Sequence, residues 1–468
     1  MEFASANFIF IFLPVVFLLY LVLPWKQVRN WLLIAASLVF YAWGELYYVL
    51  LMVFSATVNF FIAIWMDKRG ENRSNKALLI TAIIFNIGLL AVFKYSAFAV
   101  GSINSVFGTS LPLPKIASPL GISFFTFQAL SYVIDSYRRD IEPTRNYGNF
   151  LLYISFFAQL VQGPIIRYGT IAEQLDHREL TAENVAEGLR LFIIGLAMKV
   201  VIANSLGRIT ASIYGMEAGS LNAAYAWAGA VCFLLQIYFD FAGYSQMAIG
   251  LGRMFGFTIP QNFNYPYIAY SMTDFWRRWH ITLSRWFRDY VYIPLGGNRR
   301  SALRTGVNKI IVFLLTGLWH GANWTFVVWG AYNGAFLLGE NYLKRTKFKL
   351  PKIVTWLYTI IVVTVGFVIF NSPNMAYAWA MIKNMFTGFR IGADTLASLS
   401  AMFKPTVIAI LIAAVIGATP VMRILCSKLD DKPLLQASIR YGTAVLLFVI
   451  CLFFIASGNY NPSIYTQF

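Results

Sequence analysis

Long apolar runs recur along the whole chain and contain few charged positions. A helix that crosses a bilayer needs about 20 consecutive, mostly apolar residues, and most of these runs approach that length. Several runs contain glycine or proline, which predicts that some of the helices are broken or re-entrant. The pattern therefore predicts an all-α protein with about ten to thirteen membrane helices. The runs lie at residues 7–24, 29–44, 46–66, 77–94, 119–136, 148–166, 187–206, 222–240, 309–338 (long enough for two helices), 353–371, 405–424 and 439–457.

Composition supports this assignment. Hydrophobic residues occupy 59% of the 468 positions and charged residues only 12%, whereas charged residues make up roughly a quarter of a soluble domain. No low-complexity tract or polar linker divides the chain. No internal repeat is evident in the sequence, which argues against a transporter built from inverted repeats. We therefore expect one multi-pass membrane domain over residues 1–468, with its motif-bearing part at 119–338.

The net charge of +17 indicates how the chain is oriented in the membrane. In a soluble protein this excess would suggest nucleic acid as a partner, but in a membrane protein it indicates cytoplasmic loops that contact anionic lipid headgroups. With the basic loops inside, the N-terminus and the tail at 457–468 are predicted to lie outside. The basic loops lie at 67–76, 137–145, 299–309, 344–352 and 423–440.

Segment 274–290 is both basic and aromatic. Its apolar positions recur at steps of three and four, which predicts one amphipathic helix that ends at Pro294, Gly296 and Gly297. Two interpretations stay open: a helix anchored at the inner leaflet, or a lining for an anionic substrate, because arginine binds phosphate bidentately. The aromatic face would contain Trp276, Trp279, Leu283, Trp286 and Tyr290, and the opposite face Arg277, Arg278, Arg285 and Arg288.

His320 is the strongest candidate for chemistry. It lies between two apolar runs that carry no charge near it, and an ionisable side chain at membrane depth usually has a function. Histidine is also the usual general base near neutral pH. The alternative is a core histidine bonded to a carbonyl. His280, at the edge of the aromatic face, would by itself be structural, and His177 is expected to be solvated in a polar loop.

Other polar residues give weaker signals. Asp240 lies in an apolar run, where a carboxylate needs a partner, and Lys199 is expected to extend its ammonium toward an interface. Cys232, Cys426 and Cys451 have no paired spacing, so neither a disulfide framework nor a metal site is expected.

A set of motifs resembles the membrane-bound O-acyltransferase superfamily, in particular its bacterial branch for O-acetylation of alginate and other cell-surface polysaccharides. The motifs occur in the family's order. Asn333 and Gln246 differ from the histidine and aspartate that this branch often has at those positions. The matching stretches are 121–128, 132–135, 162–165 with Arg167, 236–245, 275–280, 288–296 and 317–324.

The resemblance implies a ring of tilted transmembrane and re-entrant helices around a central tunnel, in the bacterial inner membrane. It implies that His320 of the Trp-His-Gly motif is catalytic and that His280 supports it. The donor would be cytoplasmic acetyl-CoA, a substrate rather than a bound cofactor. The partner would be an extracytoplasmic, SGNH-hydrolase-like polysaccharide O-acetyltransferase. Residues expected to bind substrate are Arg277, Arg278, Arg285, Arg288, Trp319, Asn323 and Asp240.

The tail resembles the family's terminal signature of aromatics around a tyrosine, although Ser463 and Thr466 replace expected aromatics. Tyr465 is either an interfacial anchor or a hydroxyl that receives the acyl group and passes it on. Two alternative functions also stay open. One is D-alanyl transfer from a carrier-protein thioester to teichoic acid, and the other is a non-catalytic polysaccharide or acyl permease, which would need no base at His320.

Overall fold

A computed structural model describes residues 1–70, 73–299, 301–343 and 350–458. All of the regular secondary structure in these residues is helical, which confirms the predicted all-α class. The α-helices are α1 Leu13–Val22, α2 Lys26–Glu45, α3 Tyr48–Lys68, α4 Ser74–Leu90, α5 Ser96–Phe107, α6 Ile122–Arg138, α7 Tyr147–Ser155, α8 Phe157–Leu160, α9 Tyr168–Asp176, α10 Ala182–Ala197, α11 Asn204–Tyr214, α12 Ala223–Met254, α13 Met272–Arg278, α14 Ile281–Phe287, α15 Ala302–His320, α16 Trp324–Leu343, α17 Lys352–Asn371, α18 Met375–Thr387, α19 Ala393–Met402, α20 Pro405–Gly417, α21 Val421–Ser427 and α22 Pro433–Ala456.

Short stretches of other helix types join several of these elements. A π-helical stretch contains one wider turn, and such stretches often occur at functional sites. The one at Met198–Ala203 connects α10 to α11, and the one at Arg288–Tyr292 follows α14. The remaining π-helices are Phe8–Phe12 and Ala91–Tyr95, and the 3-10 helices are Ala218–Ser220 and Pro266–Ile268.

Fewer helices span the membrane by length than the apolar runs suggest. In the described residues six helical segments are long and apolar enough to cross, or seven if the bent pair α19 and α20 (74° apart) is one span. Several predicted spans become shorter or broken helices. The run 148–166 is divided at Phe156, and α6 in the run 119–136 is buried along nearly its whole length. An apolar run can therefore mark a helix surrounded by protein rather than by lipid.

Packing divides the chain into two compact units, one of residues 1–192 with 247–260 and one of 193–246 with 261–468. This division does not test the prediction of a single membrane domain. In the first unit, polar groups buried among apolar helices bond to each other, as such groups must. Asn59 on α3 and Asn86 on α4 exchange amide hydrogen bonds of 3.2 and 2.7 Å. Arg178 similarly donates to Tyr20 Oη at 2.9 Å and to Asn30 Oδ1 at 2.6 Å.

The second unit contains a tight hairpin of α15 and α16. The long run predicted at 309–338 is indeed two helices, broken at 321–323. Glycine permits their close approach, since a Cβ on Gly317 would lie 2.2 Å from the Phe326 carbonyl oxygen and one on Gly330 would lie 2.4 Å from the Phe313 carbonyl oxygen. The hairpin thereby fixes where the last residue of α15, His320, is placed.

The prediction of one continuous helix over 274–290 is wrong. The segment forms α13, α14 and a π-helix, with extended backbone at Trp279 and a left-handed conformation at His280 (φ 44°). A non-glycine residue in that region costs about 1–3 kcal/mol, so the surroundings must impose it. They do so through loop 261–264, because Asn264 N–H donates to the Arg278 carbonyl and Ile281 N–H to the Asn262 carbonyl, both at 2.9 Å. The predicted stop is confirmed, with Gly296 and Gly297 at positive φ.

Candidate active site

Aromatic rings enclose His320, which is 4% exposed. The centroid of its imidazole lies 4.8 Å from the Trp319 ring, 5.2 Å from the Trp329 ring and 5.1 Å from the Phe370 ring. The contacts to Trp329 and Phe370 are edge-to-face, at 89° and 81°. Trp329 belongs to α16 and Phe370 to α17, so three helices hold the ring in one orientation and exclude bulk water from it.

His280 lies at the break between α13 and α14 and is 1% exposed. Its ring packs against Phe241 of α12, with centroids 4.6 Å apart, and against Trp319, at 5.7 Å. His280 lies outside the helices that are long enough to span, and burial lowers the pKa of its imidazole to about 3. The ring is therefore neutral at physiological pH, so it can serve as a hydrogen-bond partner but not as a cation.

Trp319 joins the two histidines, because the His320 and His280 rings both contact its indole. The sequence placed His280 at the edge of an aromatic face and His320 in a separate motif, and the fold brings them to one tryptophan. A neutral, oriented imidazole in a dry, aromatic-lined site can take a proton from a hydroxyl, and a second one can bind the reacting groups. The arrangement can therefore support acyl transfer to an oxygen nucleophile.

Glu340 fixes α13 beside this site, a role that the sequence did not reveal. Its buried carboxylate on α16 accepts hydrogen bonds from Met272 N–H, Thr273 N–H and Thr273 Oγ1 at 2.5, 3.2 and 3.1 Å. A carboxylate at a helix N-terminus satisfies N–H groups that lack helical partners. The same helix that contacts His320 through Trp329 therefore also anchors the segment that leads to His280.

The four arginines of 274–290 do not form one face, because the helix is broken. Arg278 donates to Asp274 Oδ1 at 2.9 Å, and Arg288 binds both carboxylate oxygens of Asp289 at 2.6 and 3.0 Å. Arg277 and Arg285 are exposed, and within the described residues neither side chain forms a hydrogen bond or an ion pair. Arg277 and Arg285 therefore have guanidinium groups available to an anionic ligand.

The resemblance implies acetyl-CoA as the donor, and for that donor we expect Arg277→Ala and Arg285→Ala to raise the apparent dissociation constant of coenzyme A, since each charged hydrogen bond contributes about 1.5–3 kcal/mol. Arg288→Ala is the matched control and should change it less, because that guanidinium is already paired with Asp289. Binding is measured with the purified variants in detergent. Unchanged binding together with reduced membrane insertion would show that these arginines are interfacial anchors instead.

Asp240 has the partner that its apolar surroundings require. The Lys199 Nζ lies 2.5 Å from Asp240 Oδ1, and both side chains are buried. Lys199 therefore does not extend toward an interface as the sequence suggested. Lys199 belongs to the π-helix 198–203, which follows α10. Gly243 lets α10 approach α12 closely, because a Cβ at this position would lie 2.8 Å from the Gly195 carbonyl oxygen. Binding of substrate by Asp240 stays a prediction.

Removing one member of this buried pair should destabilise the protein strongly. Asp240→Asn would leave the Lys199 ammonium buried without its carboxylate, at a cost of about 3–5 kcal/mol. The double variant Lys199→Met with Asp240→Leu should recover most of that loss. The measurement is the thermal unfolding midpoint in detergent. Asp67→Asn, which breaks half-exposed ion pairs to Arg139 and Arg145, is the control and should cost about 0–1 kcal/mol.

Of the other residues singled out in the sequence, Asn323 and His177 lie in the described part of the chain and Tyr465 does not. Asn323 lies directly before α16: its Oδ1 accepts from Thr325 N–H at 3.1 Å, and its Nδ2 donates to the Pro373 carbonyl at 3.3 Å. His177 is exposed, as expected. Tyr465 lies outside the described residues. Within the part of the chain that the structure describes, no three His, Cys, Asp or Glu side chains cluster to hold a metal ion.

Comparisons with known proteins extend these observations. Residues 37–379 match the model of the membrane-bound O-acyltransferase family. The chain is 37% identical to a probable alginate O-acetylase of Azotobacter vinelandii over the full length of both proteins. It is 38% identical to a peptidoglycan O-acetyltransferase of Helicobacter pylori, over 82% of this chain and 79% of that one. A teichoic acid D-alanyltransferase of Bacillus subtilis is 28% identical over 56% of this chain and 69% of its own.

Proposed function

The chain belongs to the membrane-bound O-acyltransferase family, and we propose that it passes an acetyl group from cytoplasmic acetyl-CoA across the membrane for O-acetylation of a cell-surface polysaccharide. One observation carries the proposal: a buried, oriented His320 and a neutral His280 contact the same indole. The relatives with 37% and 38% identity are named for acetylation of alginate and of peptidoglycan. Either polymer, or another exopolysaccharide, is a candidate acceptor.

The chemistry requires a base and hydrogen-bond donors. In the proposed step His320 takes the proton of an acceptor hydroxyl, and the hydroxyl oxygen attacks the thioester carbonyl carbon. The oxyanion that forms then collapses, the carbon–sulfur bond breaks, and the coenzyme A sulfur leaves with the proton that His320 returns. The second N–H of the Asn323 side chain and the Trp319 indole are candidate donors to the oxyanion.

Transfer across the membrane requires a path and a topology. We propose that the helices form a ring around a tunnel, with the basic loops on the cytoplasmic side and both termini outside, in a bacterial inner membrane. Exposed Arg277 and Arg285 would bind the phosphates of coenzyme A at the tunnel's inner mouth. An SGNH-hydrolase-like acetyltransferase outside the membrane would receive the acetyl group and place it on the polymer.

The decisive experiment incubates purified protein in detergent with acetyl-CoA labelled in the acetyl group. Turnover of the thioester, or labelling of the protein, supports the proposal. Turnover with a D-alanyl carrier-protein thioester but not with acetyl-CoA would assign the chain to the activity for which the Bacillus subtilis relative is named. No turnover of either thioester, with a folded protein, would favour a permease.

A further inference from the structure

Asn262, in the loop before α13, organises the break at His280. This residue is buried, and its backbone carbonyl accepts from Ile281 N–H. Its side-chain oxygen accepts from Thr282 N–H at 3.1 Å and from Thr282 Oγ1 at 2.9 Å, and it faces His280 Nδ1 at 3.3 Å. One amide therefore contacts the backbone on the C-terminal side of the break and the imidazole at its centre.

These contacts decide which way the amide points. The backbone N–H of Thr282 can only donate, so the Asn262 atom that faces it must be the carbonyl oxygen rather than the NH₂ group. The NH₂ group then points to Ser245 Oγ, 3.3 Å away, which can accept. The orientation of Asn262 is thus set by a main-chain donor and not by the histidine.

A fixed carbonyl oxygen in turn sets the histidine's tautomer. An amide oxygen only accepts, so His280 Nδ1 must carry the proton, and in a neutral ring Nε2 then carries the lone pair. His280 Nε2 is buried and has no hydrogen-bond partner among the described residues. The described side chains that face the ring are Phe241, Phe263, Trp319 and Asn262, and none of them ionises. The His280 Nε2 lone pair therefore faces an aromatic pocket and can accept a hydrogen bond.

We propose that Asn262 is a positioning residue that holds His280 in the tautomer with an unprotonated Nε2, so that Nε2 accepts a hydrogen bond from the hydroxyl that enters the site. This role rests on the proposed acyl transfer. It also explains the left-handed backbone at His280, since the conformation places the ring Nδ1 against the same oxygen that binds Thr282. His320 remains the base, and His280 orients the hydroxyl.

The tautomer can be measured without any activity. The chain contains only three histidines, so ¹⁵N-histidine labelling gives three imidazole patterns, and His280→Gln identifies the one from His280. We expect a protonated Nδ1 and an unprotonated Nε2 in the unaltered protein. In Asn262→Leu, which has similar volume but no acceptor, the pattern should become mixed or reversed. A protonated Nε2 in the unaltered protein would overturn the proposal.

Kinetics test the consequence. Asn262→Leu should lower kcat for acetyl transfer about 10–100-fold, as misplaced or unsupported site groups do, with little change in KM for acetyl-CoA. Asn262→Asp keeps the acceptor oxygen and should retain more activity near neutral pH. Its carboxylate raises the pKa of His280 from about 3, so activity should be lost at a higher pH than in the unaltered protein as pH falls.

Asn59→Leu, which removes a buried amide in the first unit, is the control and should lower stability without lowering kcat per folded molecule. A normal kcat in folded Asn262→Leu would refute the positioning role and leave the proposed function intact. If the unaltered protein turns over no acyl thioester, the proposed function fails. The ¹⁵N patterns still decide the tautomer in that case.

Discussion

Replacement of His320 with alanine is expected to reduce acetyl transfer by about 10²–10⁴-fold, the usual effect of losing a general base. His320 is buried at the end of α15, and the rings of Trp319, Trp329 and Phe370 hold its imidazole in place. No other histidine is so placed, because His280 faces Asn262 and His177 is exposed. The rate is measured as release of coenzyme A by the purified variant.

The control must separate chemistry from folding, because the alanine variant also loses aromatic contacts. His320→Gln keeps most of the volume and a polar side chain but cannot act as a base at neutral pH, so it should be as inactive as His320→Ala and better folded. His177→Ala, in an exposed loop, should have normal turnover. Turnover near the unaltered rate in a folded His320 variant would remove this residue from the mechanism.

Helices were predictable from the sequence because their signal is local. The apolar runs gave the all-α class and the positions of most helices, and the run 309–338 was recognised as long enough for two. Whether a run crosses the membrane was less predictable, since α6 lies in the apolar run 119–136 yet is buried in protein along nearly its whole length. A run of apolar residues does not distinguish lipid from protein as its surroundings.

The break at His280 was not predictable, because its cause lies elsewhere in the chain. The spacing of aromatic residues over 274–290 fits a helix well, and no glycine or proline interrupts it. Backbone pairing with loop 261–264 and the side chain of Asn262 override that local preference. Trp276, Trp279 and Trp286, which the pattern places on one aromatic face, are all buried in the separate pieces.

Contacts between residues far apart in the sequence were also not predictable, because the sequence pattern reports only local structure. The sequence indicated that Asp240 needs a partner but did not identify Lys199, which reaches it from a π-helix. Likewise, Glu340 gave no signal at the end of an apolar run, although it caps α13. His320, by contrast, was found because an uncharged membrane segment makes any ionisable residue conspicuous.

Replacement of Tyr465 with phenylalanine is expected to stop acetylation of the surface polymer while thioester turnover by the isolated protein survives. The basic segment 423–440 is predicted to be cytoplasmic, and α22, which begins within it at Pro433, is long and apolar enough to cross once, which would place the tail outside. In the proposed topology a tyrosine there would lie at the outer mouth of the proposed tunnel or against a docked partner. A hydroxyl that carries the acyl group would divide one difficult transfer into two.

The phenylalanine variant isolates this hydroxyl, because it keeps the ring and removes only the oxygen. Tyrosine is protonated at neutral pH, so the relay needs a base, and His320 is the candidate. Tyr460→Phe, a second tyrosine in the same tail, is the matched control and should acetylate the polymer normally. The readout is the acetyl content of the polymer in cells that express each variant at equal levels. Normal acetylation in Tyr465→Phe would mean that Tyr465 is an anchor and that the acetyl group passes from the tunnel directly to the partner.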